Sequence, residues 1–215
     1  MRSVRQHVNP LGLNFQVPRA TPYVRPQGLS PSARLEVELG CADGDFSFAM
    51  ARAHPAWAIV GLEIREKVVE ANRRQAAREG LENLYFGYVN LNVDLDRVFE
   101  DAAVDRFHVL FPDPWFKARH QKRRVVDPAL CQVMANQLRP GGEVHFASDI
   151  FELALDAMEV LESAEVEAMG FRNVCGAWSF ARENPCAHAS RREVTTLRRG
   201  QRVWRMRYQW APVAP

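Results

Sequence analysis

From residue 35 onward, short apolar runs alternate with longer stretches in which apolar positions recur at helical spacing. The short runs, together with one period-two alternation near the end, predict six strands, at Leu35–Leu39, Trp57–Ile64, Leu84–Val89, Phe107–Phe111, Glu143–Ala147 and Trp204–Trp210. Helices are predicted between them, over Asp45–Arg52, Arg65–Glu79, the segment from Asp127 to the Pro-Gly-Gly at 140–142, and Phe151–Met169.

Repeated strand-helix units predict an α/β fold with a doubly wound, mostly parallel sheet. The alternating strand near the C-terminus is typical of an antiparallel or an edge strand. Residues 1–33 hold five prolines and no apolar periodicity, so we expect an extended or disordered N-terminal arm there. Residues 34–215 then form a single domain.

Composition narrows the class of protein. The chain has 215 residues, of which 47% are hydrophobic and 25% charged, as in an ordinary globular domain. It contains no apolar run of about 18 residues and no secretory leader, so we expect a cytoplasmic protein that does not enter the membrane. The cysteines lack the C-x-x-C spacing of zinc sites, and we expect reduced thiols and no metal; they are Cys41, Cys131, Cys175 and Cys186.

Positive charge is concentrated in two segments of a chain whose net charge is only +2. Residues 117–124 form one basic cluster, and residues 191–207 contain seven arginines with a single acid, Glu193. Localised basic clusters on a nearly neutral chain predict a surface that binds a polyanion, and nucleic acid is favoured over membrane.

Asp113 stands at the end of the fourth predicted strand, between two prolines and next to Trp115. The prolines restrict the backbone on both sides of the carboxylate, and the basic cluster at 117–124 follows at once. A charged run is usually a solvated surface, but a solvated surface needs neither the prolines nor the tryptophan. The stretch therefore favours chemistry on a polyanion.

The first predicted strand runs into a glycine-bearing turn at Gly40–Gly44, where the backbone can approach a ligand closely. Glu63 ends the second strand, at a place where an acid can accept hydrogen bonds from ribose hydroxyls. A dinucleotide-binding turn would read G-x-G-x-x-G, but the chain has Ala42 and Asp45 at those positions. With Glu38 nearby, the acidic surroundings favour a cationic ligand such as S-adenosylmethionine, although an α/β turn with surface acids would show the same pattern.

Taken together, these motifs resemble those of the bacterial tRNA (guanine-N7)-methyltransferases. The matching motifs follow one another in the family's order over about 35–208: Glu-x-Gly-x-x-x-Gly at 38–44, Glu63, the segment 111–124, Pro-Gly-Gly at 140–142 and Ala-Ser-Asp at 147–149. The resemblance implies a Rossmann-like methyltransferase sheet, S-adenosylmethionine as cofactor, and tRNA as partner, with methylation at N7 of the variable-loop guanosine at tRNA position 46.

The resemblance also implies a role for each residue that matches a motif. Cofactor contacts would be Glu38, Gly40, Gly44, Glu63 and Asn90, the active-site acid would be Asp113, and substrate contacts would be Lys117, Asp149, Ser190 and Glu193. Basic side chains would hold tRNA phosphates, namely Arg119, Lys122, Arg123 and Arg124. We expect a monomer or a homodimer.

Three positions depart from the family's pattern. Ala42 replaces a glycine, Ser190 replaces a threonine, and Asn90 replaces an aspartate beside the adenine, where an amide can still pair with the base. Two of the candidate segments also have structural interpretations. Asp149 with Glu152 has the pattern of a helix N-cap, and Ser190 with Glu193 shares it, although no apolar helix follows Ser190.

Guanine N7 carries an exposed lone pair, so its methylation requires no base. Asp113 is therefore expected to position the ring and stabilise its developing positive charge. Three alternatives stay open at this stage. Pro-Asp-Pro-Trp resembles the motif of exocyclic-amine methyltransferases, a nicotinamide oxidoreductase is disfavoured by the missing glycines, and a non-catalytic RNA-binding module could share the fold.

Overall fold

The computed structural model describes residues 8–115 and 124–213. In these ranges the chain forms a seven-stranded sheet in the order β3-β2-β1-β4-β5-β7-β6. The strands are β1 Leu35–Leu39, β2 Ala58–Glu63, β3 Leu84–Tyr88, β4 Val104–Leu110, β5 Leu138–Ser148, β6 Phe171–Asn173 and β7 Trp204–Trp210. The helices are α1 Asp45–Ala53, α2 Glu66–Glu79, α3 Pro128–Gln137, α4 Phe151–Leu161, α5 Ala164–Ala168 and α6 Arg191–Arg198.

Strands β1 to β5 are parallel, and β7 is antiparallel to both β5 and β6. The predicted doubly wound sheet with a C-terminal antiparallel strand is confirmed. Chain order reverses between β1 and β4, and in open α/β sheets ligands bind at the carboxyl ends of the strands beside such a reversal. The topology therefore locates the site before any side chain is considered.

The sheet interior explains why the strands could be predicted. Every residue of β1 and β2 is buried, because helices cover both faces, and such strands are near-continuous apolar runs. The helix boundaries follow local signals as well. Asp127 Oδ1 accepts a hydrogen bond from the backbone N–H of Leu130 at 2.8 Å at the start of α3, and Gly80 closes α2 with a φ of 65°, a left-handed cap that glycine adopts without strain.

The structure differs from the predicted local structure in four places. The expected helix over Phe151–Met169 is two helices, α4 and α5, because Ser163 caps a new start by accepting from Val166 N at 3.3 Å. Strand β5 begins at Leu138, five residues earlier than predicted, and its pairing with β4 shifts register between Val104 and Arg106. The other two differences are β6 and α6, which were not predicted. Strand β6 is short, and α6 buries mainly polar side chains.

Residues 8–33 lie along the domain without regular structure except for one 3-10 turn, Leu13–Phe15. Backbone contacts attach this arm: Tyr23 N donates to Val98 O at 2.8 Å. The Tyr23 ring packs edge-on against Tyr85 with ring centroids 5.6 Å apart. The arm thus passes the β3 side of the sheet on its way to β1.

Strands β4 and β5 place His108 opposite His145, and both side chains are buried. Their Nδ1 atoms lie 3.3 Å apart, and His108 Nε2 lies 2.8 Å from Glu36 Oε2. Burial lowers the pKa of both imidazoles and so favours their neutral forms. Cys186 Sγ lies 3.7 Å from His145 Nδ1, so two imidazoles and a thiol, all possible metal ligands, lie close together. The positively charged Arg106 guanidinium is also 3.7 Å from that sulfur and disfavours the binding of a metal cation there. Sequence spacing alone gave no sign of this contact.

In the described ranges, none of the helices has the length and apolar character needed to cross a membrane.

Candidate functional site

A cleft of about 880 Å³ opens at the carboxyl ends of the central strands and is closed on one side by the start of α6. It brings together seven of the residues that the sequence singled out: Glu38, Gly40, Glu63, Asn90, Asp113, Asp149 and Ser190. These residues come from the ends of five parallel strands and from one distant helix. The switch point of the sheet, where the chain order reverses between β1 and β4, therefore brings the predicted cofactor and substrate residues together.

The turn after β1 has room for a ligand at Gly40. Its φ is 80°, and a Cβ built there would meet no atom within 4 Å. Gly44 has a different role, because a Cβ there would lie 2.8 Å from the Phe86 ring, and the residue does not line the cleft. Ala42, where the family has glycine, adopts a φ of 48°, and its backbone N–H donates to Glu63 Oε2 at 3.1 Å.

Glu38 is a buried carboxyl at the end of β1. Burial raises its pKa to about 8, even though the Ser47 hydroxyl donates to it at 2.6 Å. Because burial disfavours an isolated negative charge, a ligand that carries positive charge would stabilise the carboxylate and be stabilised by it. This arrangement fits the ammonium and sulfonium charges of S-adenosylmethionine.

Glu63 is held by a neighbour that was not predicted from the sequence. The Arg65 guanidinium donates to both oxygens of Glu63, with Nε 3.0 Å from Oε1 and Nη2 2.8 Å from Oε2. Arg65 also interacts electrostatically with Asp113. It therefore links the acid on the cofactor side to the acid proposed for catalysis. The signal was present as an acid-x-arginine pattern at the end of β2.

Asp113 lies between two residues with unusual backbone conformations. Phe111 has a φ of 50° and Trp115 a φ of 42°, in the left-handed region that costs a non-glycine residue roughly 1–2 kcal/mol. Phe111 N donates to Ala147 O at 2.7 Å, which ties this segment to β5. With prolines on both sides of Asp113, the backbone holds the carboxylate at the cleft in a strained, well-defined position.

Asp149 is engaged with α6 rather than with α4. Its two oxygens each accept from the Arg192 guanidinium at 3.0 Å, and the Thr196 hydroxyl donates to it at 3.2 Å. The N-cap of α4 is Ile150, with no side-chain cap, so the capping interpretation of Asp149 was wrong. The carboxylate faces the cleft instead.

Ser190 and Glu193, in contrast, do form a capped helix start. Ser190 Oγ accepts from Glu193 N at 3.2 Å at the start of α6, so the capping interpretation of this pair is confirmed. As expected, the helix that follows is not apolar, because its buried residues are Glu193 and Thr196. Glu193 is 2% exposed. Its Oε1 accepts from Arg205 Nη2 at 2.5 Å, and Asn184 Nδ2 lies 3.1 Å from both oxygens. Glu193 is not among the residues that line the cleft.

The start of α6 is tied to the glycine-bearing turn. The Arg191 guanidinium pairs with both Asp43 and Asp45, and Arg192 lies over the Phe111 ring with 5.9 Å between Cζ and the ring centroid. From the sequence these arginines were only part of a basic cluster. In the structure they connect the cofactor side of the cleft to the Asp113 segment.

Four of the predicted contact residues fall outside the described residues: Lys117, Arg119, Lys122 and Arg123. Arg124 is described, and it pairs with Asp156 beside a neighbouring cavity of about 470 Å³. That cavity shares Pro112 with the main cleft. Arg124, the described end of the basic cluster, therefore lines this neighbouring cavity and not the cleft.

Asn90 lies at the end of β3, on the cleft wall, and is 1% exposed. Its side-chain amide donates to Pro10 O at 2.9 Å and to Phe15 O at 2.8 Å. Val8 and Pro10 of the N-terminal arm also line the cleft. The position expected to contact adenine therefore contacts the arm.

Residues 32–206 match the family model described as "Putative methyltransferase". The curated tRNA (guanine-N(7)-)-methyltransferase of Synechococcus elongatus is 40% identical over 205 residues, 94% of this chain and 93% of that protein. Its counterpart from Trichormus variabilis is 39% identical over 210 residues, 96% of this chain and 95% of that protein. Among solved structures, a 16S rRNA (adenine(1408)-N(1))-methyltransferase from Catenulisporales acidiphilia with its cosubstrate SAM has a TM-score of 0.58 and 19% identity, covering 86% of this chain and 89% of that one.

The sheet order and the acid-lined cleft at its switch point define a class I methyltransferase, whose cofactor is S-adenosylmethionine. The likeness to the solved rRNA enzyme concerns the fold alone. At the level of sequence, the relation is more specific and extends over nearly the whole chain. The chain belongs to the tRNA (guanine-N(7)-)-methyltransferase family.

Proposed function

We propose that this protein transfers a methyl group from S-adenosylmethionine to N7 of a guanosine in tRNA, at position 46 of the variable loop by family resemblance, and that it does so in the cytoplasm. One observation carries the proposal. A single cleft holds acids suited to a cationic cofactor, Glu38 and Glu63, together with the rigid Asp113 and with Asp149.

Bound at the β1 and β2 side of the cleft, the cofactor supplies an electrophilic methyl group. Gly40 leaves space beside the backbone. Both oxygens of Glu63 already accept from Ala42 N and from Arg65, so ribose hydroxyls would replace Arg65 as donors to this carboxylate. The buried Glu38 carboxyl counters the positive charge of the ligand. These residues bind and orient the cofactor, and none of them needs to accept a proton from guanine.

The guanine N7 lone pair forms the new bond to carbon while the carbon–sulfur bond breaks and its electron pair stays on sulfur. No proton leaves the ring, and the methylated ring gains the positive charge that sulfur loses. Asp113, held at the cleft by its strained flanking residues, stabilises this charge where it develops. Holding the two reactants in line supplies much of the remaining rate.

Asp149 is proposed to select guanine by accepting from N1–H or the exocyclic amine. Arg192 and Thr196 orient its carboxylate, and a carboxylate retains acceptor capacity beyond these bonds. Glu193 was expected to share this task, but its burial and its bonds to Arg205 assign it to holding α6. Ser190, at the helix start, lines the cleft and stays a proposed substrate contact.

The tRNA backbone is proposed to follow the basic surface on both sides of the cleft. Arg191 and Arg199 of the α6 region line the cleft itself, and Arg124 lines the neighbouring cavity that shares Pro112 with the cleft. Lys117 stays a proposed substrate contact, and Arg119, Lys122 and Arg123 stay proposed phosphate contacts. Phosphate contacts of this kind predict an affinity for tRNA that falls steeply with salt.

The test is to incubate the protein with labelled S-adenosylmethionine and unmodified tRNA and to identify the methylated nucleoside. We expect 7-methylguanosine from natural tRNA and no transfer to a tRNA with 7-deazaguanosine at the target position, because that analogue lacks the attacking lone pair. The exocyclic-amine alternative predicts transfer to the analogue, since its amine is intact. Such transfer would overturn the N7 assignment.

Asp113→Asn gives a second, residue-level test. The variant should keep its affinity for S-adenosylmethionine and lose at least about 100-fold in single-turnover rate, the usual scale for removing one preorganised electrostatic group. Arg65→Ala is a useful companion, because it removes the cation beside Asp113 and Glu63. A wild-type rate in Asp113→Asn would remove this residue from the mechanism.

A further inference from the structure

Asn90 uses both hydrogens of its amide on the N-terminal arm. They bond the carbonyls of Pro10 and Phe15 at 2.9 and 2.8 Å, and Asn90 Oδ1 accepts from Asn92 N at 3.2 Å. A primary amide has two N–H donors, so with the arm in place this side chain has none left for adenine.

Asp94 holds a second point of the arm from the same loop. Its Oδ1 accepts from Arg19 N at 2.9 Å and from Ala20 N at 3.3 Å, while Oδ2 accepts from Asn90 N at 3.3 Å. Asp94 is 1% exposed. The loop after β3 therefore anchors the arm at two points with two buried polar side chains, and backbone groups of the arm make each bond.

The arm segment fastened in this way forms part of the cleft wall. Val8 and Pro10 line the cleft together with Val89 and Leu91 at the end of β3. These four apolar side chains offer a surface suited to a flat heteroaromatic ring. The backbone and Asn92 on the same wall provide polar groups for the edge of such a ring.

We propose that the N-terminal arm is a wall of the cofactor site and that Asn90 is the positioning residue that holds it there. The identity of the ligand, the adenine end of S-adenosylmethionine, rests on the proposed function. An aspartate at position 90 has no N–H to donate, so the departure from the family's pattern is explained by the arm. Asn90 acts on the cofactor through the arm and not by direct contact.

Asn90→Asp in the full-length protein tests the proposal, because it has nearly the same shape and loses both donors. We expect S-adenosylmethionine to bind about tenfold more weakly by calorimetry, and amide hydrogen exchange over residues 8–20 to become faster. In the wild-type protein, adding the cofactor should slow exchange in the same residues. A merely structural role for Asn90 would not link the arm's exchange to the cofactor.

Asn83→Asp is the matched control. Asn83 is also buried, and its amide nitrogen lies 3.1 Å from the carbonyl oxygens of Ala51, His54 and Trp57. Asn83 precedes β3 and Asn90 follows it, so the control lies at the amino end of the strand, away from the cleft. We expect Asn83→Asp to lower stability without changing cofactor affinity or exchange in the arm.

Pro10→Gly provides an arm-side variant in case Asn90→Asp folds poorly. It loosens the arm, changes no residue of the loop after β3, and should also weaken cofactor binding. If both changes act through the arm, their effects in the double variant will be less than additive. The proposal fails if either variant frees the arm and leaves cofactor affinity unchanged, or if Asn90→Asp weakens binding while the arm stays protected. If the wild-type protein binds no S-adenosylmethionine, the proposed function fails instead, and the exchange data still decide whether Asn90 anchors the arm.

Discussion

Glu193→Ala separates the two roles considered for this residue, a substrate contact and a structural ion pair. Glu193 and its partner Arg205 have side-chain exposures of 2% and 9%, and Arg205 donates to Glu193 Oε1 from Nε at 3.0 Å and from Nη2 at 2.5 Å. Removing one member of a buried pair leaves the other charge buried without compensation, at about 3–5 kcal/mol. This is a large share of the roughly 5–15 kcal/mol that stabilises a typical domain.

Urea unfolding followed by circular dichroism measures the effect. We expect the midpoint to fall sharply for Glu193→Ala, while the dependence on urea stays unchanged. Adding Arg205→Met should recover much of the loss, since it removes the unpaired charge. Glu70→Ala is the surface control, because its pair with Arg74 is more than half exposed on both sides and should change stability by less than about 0.5 kcal/mol.

The opposite outcome would refute the reasoning. If Glu193→Ala unfolds within about 1 kcal/mol of the wild-type protein and loses tRNA methylation while keeping cofactor affinity, Glu193 contacts the substrate as the sequence suggested. The buried ion pair would then carry little of the stability assigned to it.

Three further predictions follow from the cleft. Because burial raises the pKa of Glu38 to about 8, calorimetry at pH 7 in two buffers should show proton release on cofactor binding, absent in Glu38→Gln. In the unfolded chain this carboxyl ionises near pH 4.5, whereas the folded protein keeps the proton up to about pH 8. Between these two pH values the free energy of unfolding of the wild-type protein should therefore fall, relative to that of Glu38→Gln, as the pH rises. Equal slopes of stability against pH for the two proteins would contradict this. Ala42→Gly relieves the strain of a φ of 48°, roughly 1–2 kcal/mol, but makes the unfolded chain freer by about 0.4–1 kcal/mol. Urea unfolding should therefore show a gain in stability between about 0 and about 1.6 kcal/mol, and a shift outside this range would mean that the turn is rebuilt. Arg191→Ala breaks the pairs to Asp43 and Asp45; filter binding should show weaker tRNA affinity and a shallower salt dependence, and an unchanged salt slope would exclude Arg191 from phosphate binding.

Local signals in the sequence were sufficient to predict those helices and strands whose ends are marked by nearby residues. The cap at Asp127, the left-handed Gly80 and the fully buried run of β2 each act within a few residues, so the sequence predicts them. Helix α6 had a capping pattern at Ser190 and Glu193, but no apolar periodicity followed it. Its buried residues are Glu193 and Thr196, which are polar and find their partners only in the folded chain.

Taken alone, the sequence determined the alternation of strands and helices, the family, and the motif residues that the cleft collects. These features could be predicted because apolar periodicity and short motifs depend only on residues that are close together in the chain. Tertiary structure alone decided what those residues touch. Asn90 bonds residues 75 and 80 positions away, and Asp149 meets α6 more than 40 positions later. Pairings over such distances depend on the sheet order and on burial, which give a polar side chain its partner only after the chain has folded.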